Sequence, residues 1–170
     1  SDLNAAIEGN VDPHQVASIV ISGAQFKDWH GPTHPRDLIG AAHSVVYFVA
    51  SAIADRGFGW AHATEEKMND PVINALADKI TMDPNPAPLP DRFTHRHGGT
   101  VIITMNDGTV HRNTCTAPLG SGPRGVEWGD VDAKYRRLVP LSGLANDKIE
   151  ASLQVCHDFT QVKQMRSEEH

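Results

Sequence analysis

The sequence predicts an α+β fold in which a small, largely antiparallel sheet packs with helices. One long segment, residues 38–56, carries apolar residues at helical spacing. Two later strands are expected over about residues 92–105 and 109–116, and their β-branched segments, residues 101–105 and 109–115, flank an Asp107-Gly108 turn. In chain order the predicted elements are β, α, α, α, β, β, α and α, and this order is typical of α+β domains.

The first part of the fold is predicted from one strand and one helix. Residues 17–22 read Ala-Ser-Ile-Val-Ile-Ser, which is a strand pattern. Asp37 is expected to cap a single helix that runs to about Arg56, with Gly57 in the left-handed position after its end. The apolar stripe of this helix is expected to face the sheet and comprises Leu38, Ala41, Ala42, Val45, Val49, Ala52 and Ile53.

Local signals define the shorter elements that follow. A helix over residues 64–68 has Thr64 as its N-cap. The next helix begins at Asp70-Pro71, where the aspartate caps and the proline takes the first helical position. Residues 80–82 are expected to form a short strand. Asp107-Gly108 supplies the positive φ that a hairpin turn needs, so the two segments beside it are expected to pair.

The C-terminal part is predicted to be helical. Helices are expected over residues 130–138 and over residues 146–159. Because 170 residues suit one domain with a real core, we expect a single domain over residues 1–160. Residues 161–170 are expected to be a frayed tail.

Charge and composition exclude several classes of protein. The formal net charge of −6 leaves no visible basic surface for nucleic acid. No apolar run approaches the roughly 20 residues that span a bilayer. The first residues lack the basic and apolar regions of a secretory signal, and Cys115 and Cys156 have no CxxC partner. We therefore expect a cytoplasmic protein that binds neither nucleic acid nor membrane.

Four segments carry a family resemblance in the family's own order. Residues 42–50 read Ala-His-Ser-Val-Val-Tyr-Phe-Val-Ala, and residues 70–80 begin with Asp-Pro-Val and end with Leu-Ala-Asp-Lys-Ile. The Asp107-Gly108 hairpin is the third segment. The glycine-rich loop of residues 118–125, with the Lys-Tyr helix of residues 132–138, is the fourth. In these motifs the chain resembles the C-terminal domain of the MmgE/PrpD family (2-methylcitrate dehydratase, cis-aconitate decarboxylase and iminodisuccinate epimerase).

The resemblance implies a function for the parent protein. Family enzymes are cofactor-independent lyases or isomerases of citrate- or aconitate-like polycarboxylic acids, and they are often homo-oligomers. Their reactions are dehydration, decarboxylation or epimerisation by proton transfer next to a carboxylate. A large N-terminal helical domain supplies much of their catalytic apparatus, so this chain alone is expected to be an inactive substrate-closing domain. The alternatives are a stand-alone, non-catalytic binding or oligomerisation module of the same fold and a histidine-based metalloprotein.

The chain also departs from the family pattern. Residues 26–35, which include Trp29, His30 and His34, match no family motif, and the loop continues through Arg124 into Gly-Val-Glu-Trp. These departures leave the identity of the substrate open.

His43 and Tyr47 are the candidate catalytic residues. They lie four residues apart in the predicted helix, so both side chains are expected on one face, offset from the apolar stripe and open to a cleft. A phenol beside an imidazole can relay a proton to a carbanion next to a carboxylate. Spacing alone also fits a pair that merely packs. The resemblance implies that Tyr47 lines the active site, and it implies less for His43, where the family tolerates other residues.

Arg124 and Gly122 are the candidate substrate-binding residues. An arginine offers a planar, bidentate fork to a carboxylate, and glycines allow backbone N–H groups to approach an anion. The loop lacks the Gly-Lys-Ser/Thr ending of a P-loop. The other interpretation is a solvent-exposed loop with one exposed arginine.

The ten histidines require a test for metal binding. His95 and His97 have the spacing of two ligands on one side of a strand, and His111 on the paired strand is a possible third. Nearby arginines disfavour a cation there, so no native metal site is predicted, and the resemblance implies that no cofactor is used. His30 and His34 are expected to be mobile surface groups or part of a flap over the substrate.

Overall fold

The structure is a computed structural model that describes residues 11–28, 30–88, 98–122 and 124–161. Its strands and helices confirm the predicted α+β class. In chain order they are β1 (Val16–Ser22), α1 (Leu38–His43), α2 (Val45–Asp55), α3 (Glu65–Met68), α4 (Pro71–Ala77), β2 (Ile80–Met82), β3 (Gly99–Met105), β4 (Val110–Cys115), α5 (Trp128–Leu138) and α6 (Asn146–His157). Short 3-10 helices cover Pro13–Gln15, Trp60–Ala63, Val139–Ser142 and Phe159–Gln161.

The chain forms two compact units, which divide after Arg124. The first contains the sheet and helices α1 to α4, and the second contains α5 and α6. Residues 162–170 of the predicted tail lie outside the described residues. Among the helices that the structure describes, none has the length and apolar character needed to cross a membrane.

The sheet has four strands in the order β2-β1-β3-β4. β1 runs parallel to β2 and antiparallel to β3, and β3 runs antiparallel to β4, so the sheet is mostly antiparallel as predicted. The predicted hairpin is confirmed. The N–H of Met105 donates to the carbonyl of Thr109 at 2.8 Å, and Gly108 has a φ of 85°.

One face of the sheet forms the core of the first unit. Ile19 and Ile21 of β1 and Val101 and Ile103 of β3 are buried, whereas the residues between them are more exposed. This alternation follows from the period of two in a strand. These four side chains belong to one apolar cluster with residues of α2 and α4, namely Val46, Tyr47, Val49, Ile53, Ile73 and Leu76.

The helix predicted over residues 38–56 is two helices, because the chain breaks at Ser44. Ser44 has an extended backbone, and its Oγ accepts the N–H of Tyr47 at 2.9 Å, so it is the N-cap of α2. A serine hydroxyl can replace a helical carbonyl in this way and end the preceding helix. The expected end at Gly57 is also wrong in detail. Arg56 takes the left-handed conformation, with a φ of 55°.

The second unit is held by contacts between its two helices. Arg136 of α5 binds Glu150 of α6 through two hydrogen bonds of 2.8 and 2.9 Å. The Tyr135 hydroxyl meets the Ser152 hydroxyl at 2.8 Å. The guanidinium fork suits a carboxylate, although an exposed pair of this kind contributes little to stability.

Candidate active site

The predicted catalytic residues lie at or close to the junction of α1 and α2, defined here as residues 43–45. The chain segment of residues 30–35, called the strap below, runs alongside this junction. The carbonyl of His30 accepts the N–H of Val45 at 3.0 Å, and the Ser44 hydroxyl donates to the carbonyl of Pro32 at 2.6 Å. Ser44 is fully buried, so both bonds of its hydroxyl are made inside the protein.

Gly31 allows the strap to approach the junction. Its φ is +69°, and a Cβ at this position would lie 2.1 Å from the carbonyl oxygen of His43. No side chain fits at that distance, and L-residues also disfavour this backbone conformation. The position of the strap against the junction therefore depends on glycine at residue 31.

His43 ends α1 and is exposed, as predicted. Its Nδ1 lies 2.8 Å from the carbonyl oxygen of Ile39. A carbonyl can only accept, so Nδ1 carries the proton, and in the neutral imidazole the lone pair is on Nε2. This arrangement fixes the tautomer and gives the exposed ring a defined basic nitrogen.

Tyr47 is not at the surface, and that expectation was wrong. Its side chain is 0% exposed, and its hydroxyl donates to the carbonyl of His62 at 2.7 Å. The break at Ser44 is the physical reason, because α2 starts a new helical phase and is buried on nearly all sides. Burial of the phenol raises the pKa of Tyr47 above its ordinary value.

His62 was missed by the sequence reasoning, although it is the partner of Tyr47. The residue is 6% exposed, with Nε2 at 3.0 Å from a carboxylate oxygen of Asp55 and Nδ1 at 3.1 Å from the N–H of Gly59. Lys67 binds the same oxygen of Asp55, and this carboxylate raises the pKa of Lys67. The arrangement fixes the segment that carries the carbonyl bonded by Tyr47. No periodic pattern in the sequence indicates that His62 is the partner of Tyr47.

The predicted substrate-binding residues lie at the end of the first unit. Arg124 is exposed, and its Nη1 donates to the carbonyl of Ala117 at 3.3 Å, which ties the side chain back to its own loop. Gly122 is exposed, with open space where a side chain would be. An exposed guanidinium on a glycine-containing loop can bind a carboxylate. The role of both residues stays a prediction.

The histidines of the strap are exposed, as expected of surface groups, and both make contacts. His34 contacts two residues of α4, with its Nδ1 at 3.0 Å from Oδ1 of Asn74 and its Nε2 at 2.8 Å from Oδ1 of Asp78. The Nδ1 of His30 lies 3.0 Å from the carbonyl oxygen of Gly31. His34 therefore anchors the strap to α4.

The proposed metal ligands are only partly within the described chain. His95 and His97 lie outside the described residues. His111 is on β4, opposite Ile103 of β3, and is partly buried. Within the described ranges, no group of three or more His, Cys, Asp or Glu side chains could hold a metal ion.

Comparison with known protein families identifies the family of this chain. The model of the MmgE/PrpD C-terminal domain matches residues 3–158, which is most of the chain and extends across both compact units. No curated protein matches the chain. A family match of this length agrees with the four motifs found in the sequence, and the chain therefore belongs to the MmgE/PrpD family, as its C-terminal domain.

Proposed function

We propose that this domain closes over the active site of a cofactor-independent lyase or isomerase that acts on a citrate- or aconitate-like polycarboxylic acid. The observation that carries the proposal is the match of residues 3–158 to the MmgE/PrpD C-terminal domain. As the family implies, the reaction is dehydration, decarboxylation or epimerisation, and each needs proton transfer next to a carboxylate. A helical domain of the same protein supplies the rest of the site.

In this proposal His43 transfers the proton. Its ring is exposed at the end of α1, and its hydrogen bond to Ile39 gives the neutral ring a basic Nε2. An imidazole can both accept and donate a proton through its ring nitrogens, which suits a group that must take and return one. Leu38 and Ile39 on the same helix are 54% and 73% exposed. Apolar side chains exposed next to a polar site support a surface that another domain covers.

Substrate carboxylates need cationic and N–H donors. Arg124 and the backbone beside Gly122 are the groups of this chain proposed for that role. In the arrangement described, the Tyr47 hydroxyl instead holds α2 to the Trp60–Ala63 turn. It can join the chemistry only after it leaves the carbonyl of His62.

The test uses the protein expressed from the full open reading frame that contains this chain. Turnover of 2-methylcitrate, cis-aconitate and related acids is measured for the parent and for His43→Gln. We expect kcat of His43→Gln to fall by about 10²–10⁴-fold, the range for a lost proton-transfer group. The matched control is His14→Gln. His14 is exposed and uses its backbone N–H to bind Asp12, so this substitution should leave kcat unchanged.

The alternative function is a non-catalytic binding or oligomerisation module. Calorimetric titration of the 170-residue chain with the same acids separates the two. If the chain binds an acid while the full protein turns over none of the panel, the module is the better description. Equal kcat values for His43→Gln and the parent would remove His43 from the proposed mechanism.

A further inference from the structure

The strap is attached to the rest of the first unit at two places. At one end His34 contacts Asn74 and Asp78 of α4, which are 40 and 44 residues away in sequence. At the other end His30 and Pro32 bind the α1–α2 junction through their carbonyl groups. The segment between the two attachments is only a few residues long, so a change at His34 is expected to alter the contacts at the junction.

The hydrogen bonds of Asn74 indicate which protonation state of His34 fits the contacts of its ring. The amide nitrogen of Asn74 donates to the carbonyl of Met68 at 3.2 Å, so its Oδ1 is the atom that faces Nδ1 of His34. Oδ1 of Asp78 faces the other ring nitrogen. Both partners are acceptors, and two acceptors on one imidazole are satisfied only when both nitrogens carry a proton. The described arrangement is therefore that of the imidazolium cation.

We propose that protonated His34 is a positioning residue for His43: as a cation it locks the strap to α4 and so holds the junction at the end of α1. When His34 loses its proton, one of its two hydrogen bonds is lost and the attachment of the strap to α4 is weakened. The role of His43 in catalysis rests on the proposed function, whereas the mechanical link between His34 and the junction does not.

The sign of the pH dependence follows from the contacts of the ring. The hydrogen bond to Asn74 and then the hydrogen bond to Asp78 raise the pKa of His34 above its ordinary value of 6.5. A raised pKa means that the stabilisation is complete below pH 6.5 and is lost as the pH rises through the pKa of the folded state. Among the described contacts of the ring, Asp78 of α4 is the charged group that faces it, and Asn74 is neutral. The charged residues nearest to His34 in sequence are Arg36 and Asp37, which directly follow the strap.

The first experiment measures the link without any assay of activity. In the ¹⁵N-labelled 170-residue chain, the ring nitrogen shifts of His34 are titrated from pH 5 to 9. Hydrogen exchange of the Val45 amide, which donates to the His30 carbonyl, is followed over the same range after correction for intrinsic exchange. We expect both ring nitrogens to be protonated at pH 5.5, and Val45 protection to fall about three- to tenfold with the midpoint of the His34 titration.

Two variants and a control make the result specific. In His34→Gln the Val45 protection should be low and independent of pH. Asp78→Asn keeps an acceptor but removes the charge, so the His34 titration and the fall in Val45 protection should both move to lower pH. His14→Gln, outside the strap, should behave as the parent. The proposal would be overturned if Val45 protection did not change across the His34 titration, or if only one ring nitrogen of His34 were protonated at pH 5.5.

The full-length protein then separates this inference from the proposed function. If His34 positions His43, kcat of the parent should fall at alkaline pH as His34 loses its proton. This fall should be absent from the pH profile of His34→Gln. Should His43→Gln prove fully active while the Val45 link holds, the catalytic assignment fails and the mechanical link stands. If Val45 protection does not depend on the protonation of His34, the positioning role fails even if His43 is catalytic.

Discussion

Tyr47→Phe tests the conclusion that the Tyr47 hydroxyl is a structural group of the first unit. The substitution removes one oxygen from a side chain that is 0% exposed and whose hydroxyl donates to the His62 carbonyl at 2.7 Å. A typical hydrogen bond contributes about 0.5–1.5 kcal/mol, and leaving a buried acceptor without its donor costs about 1–3 kcal/mol. We therefore expect a loss of about 1–3 kcal/mol in the free energy of unfolding.

Tyr135→Phe is the matched control in the second unit. The Tyr135 hydroxyl is only partly buried, and its partner Ser152 also donates to the carbonyl of Ile149 at 2.8 Å. Ser152 thus keeps a hydrogen bond when the phenol oxygen is removed, and the cost should be no more than about 1 kcal/mol. The two variants therefore differ in how deeply the deleted hydroxyl is buried and in whether its partner keeps a hydrogen bond.

The measurement is reversible urea unfolding followed by circular dichroism, with a shift of midpoint at constant slope as the criterion. Because the chain has two compact units, hydrogen exchange of the α2 amides should be measured as well, since it reports on the first unit alone. If Tyr47→Phe costs no more than Tyr135→Phe, the buried bond to His62 is not stabilising and the structural role is wrong. A 10²–10⁴-fold loss of kcat in the full-length protein would instead show that the hydroxyl takes part in proton transfer.

Two further substitutions test the junction and the end of α2. Gly31→Ala should destabilise the chain by more than Gly108→Ala in urea unfolding. Both glycines have positive φ, but only the Cβ at residue 31 would strike the His43 carbonyl, at 2.1 Å. Equal costs would show that the strap can move away without loss. Arg56→Gly should stabilise the chain by up to about 1–2 kcal/mol, the cost of a left-handed L-residue, and a loss of stability would mean that the arginine side chain compensates for this cost.

Local sequence signals predicted most of the fold. Asp70 accepts the N–H groups of Val72 and Ile73 at the start of α4, and Pro71 takes the first helical position as expected. The Asp107-Gly108 hairpin and the Asp37 cap of α1 are likewise correct. In each case the residues that specify the structure are a few positions apart, so a short window of sequence contains the whole interaction.

The candidate site was harder to predict because its contacts are long-range or involve the backbone. The partner of Tyr47 is a main-chain carbonyl, 15 residues away, which no residue type encodes. His34 reaches α4 across 40 and 44 residues. The apolar stripe was also misleading, because α2 is buried on nearly all sides and its burial does not single out one face. Leu38, assigned to the buried stripe, is 54% exposed.

The break at Ser44 separates the two predicted catalytic residues. In a continuous helix the N–H of Tyr47 would bond the carbonyl of His43, four residues earlier. Here the Ser44 hydroxyl takes that N–H, and Gly31 of the strap packs against the His43 carbonyl. The strap also supplies a carbonyl acceptor for Val45. Because α1 and α2 then follow different helical phases, His43 is exposed while Tyr47 lies in the core. The strap, in which the sequence analysis identified no family motif, therefore makes the contacts that hold the His43-Ser44 segment.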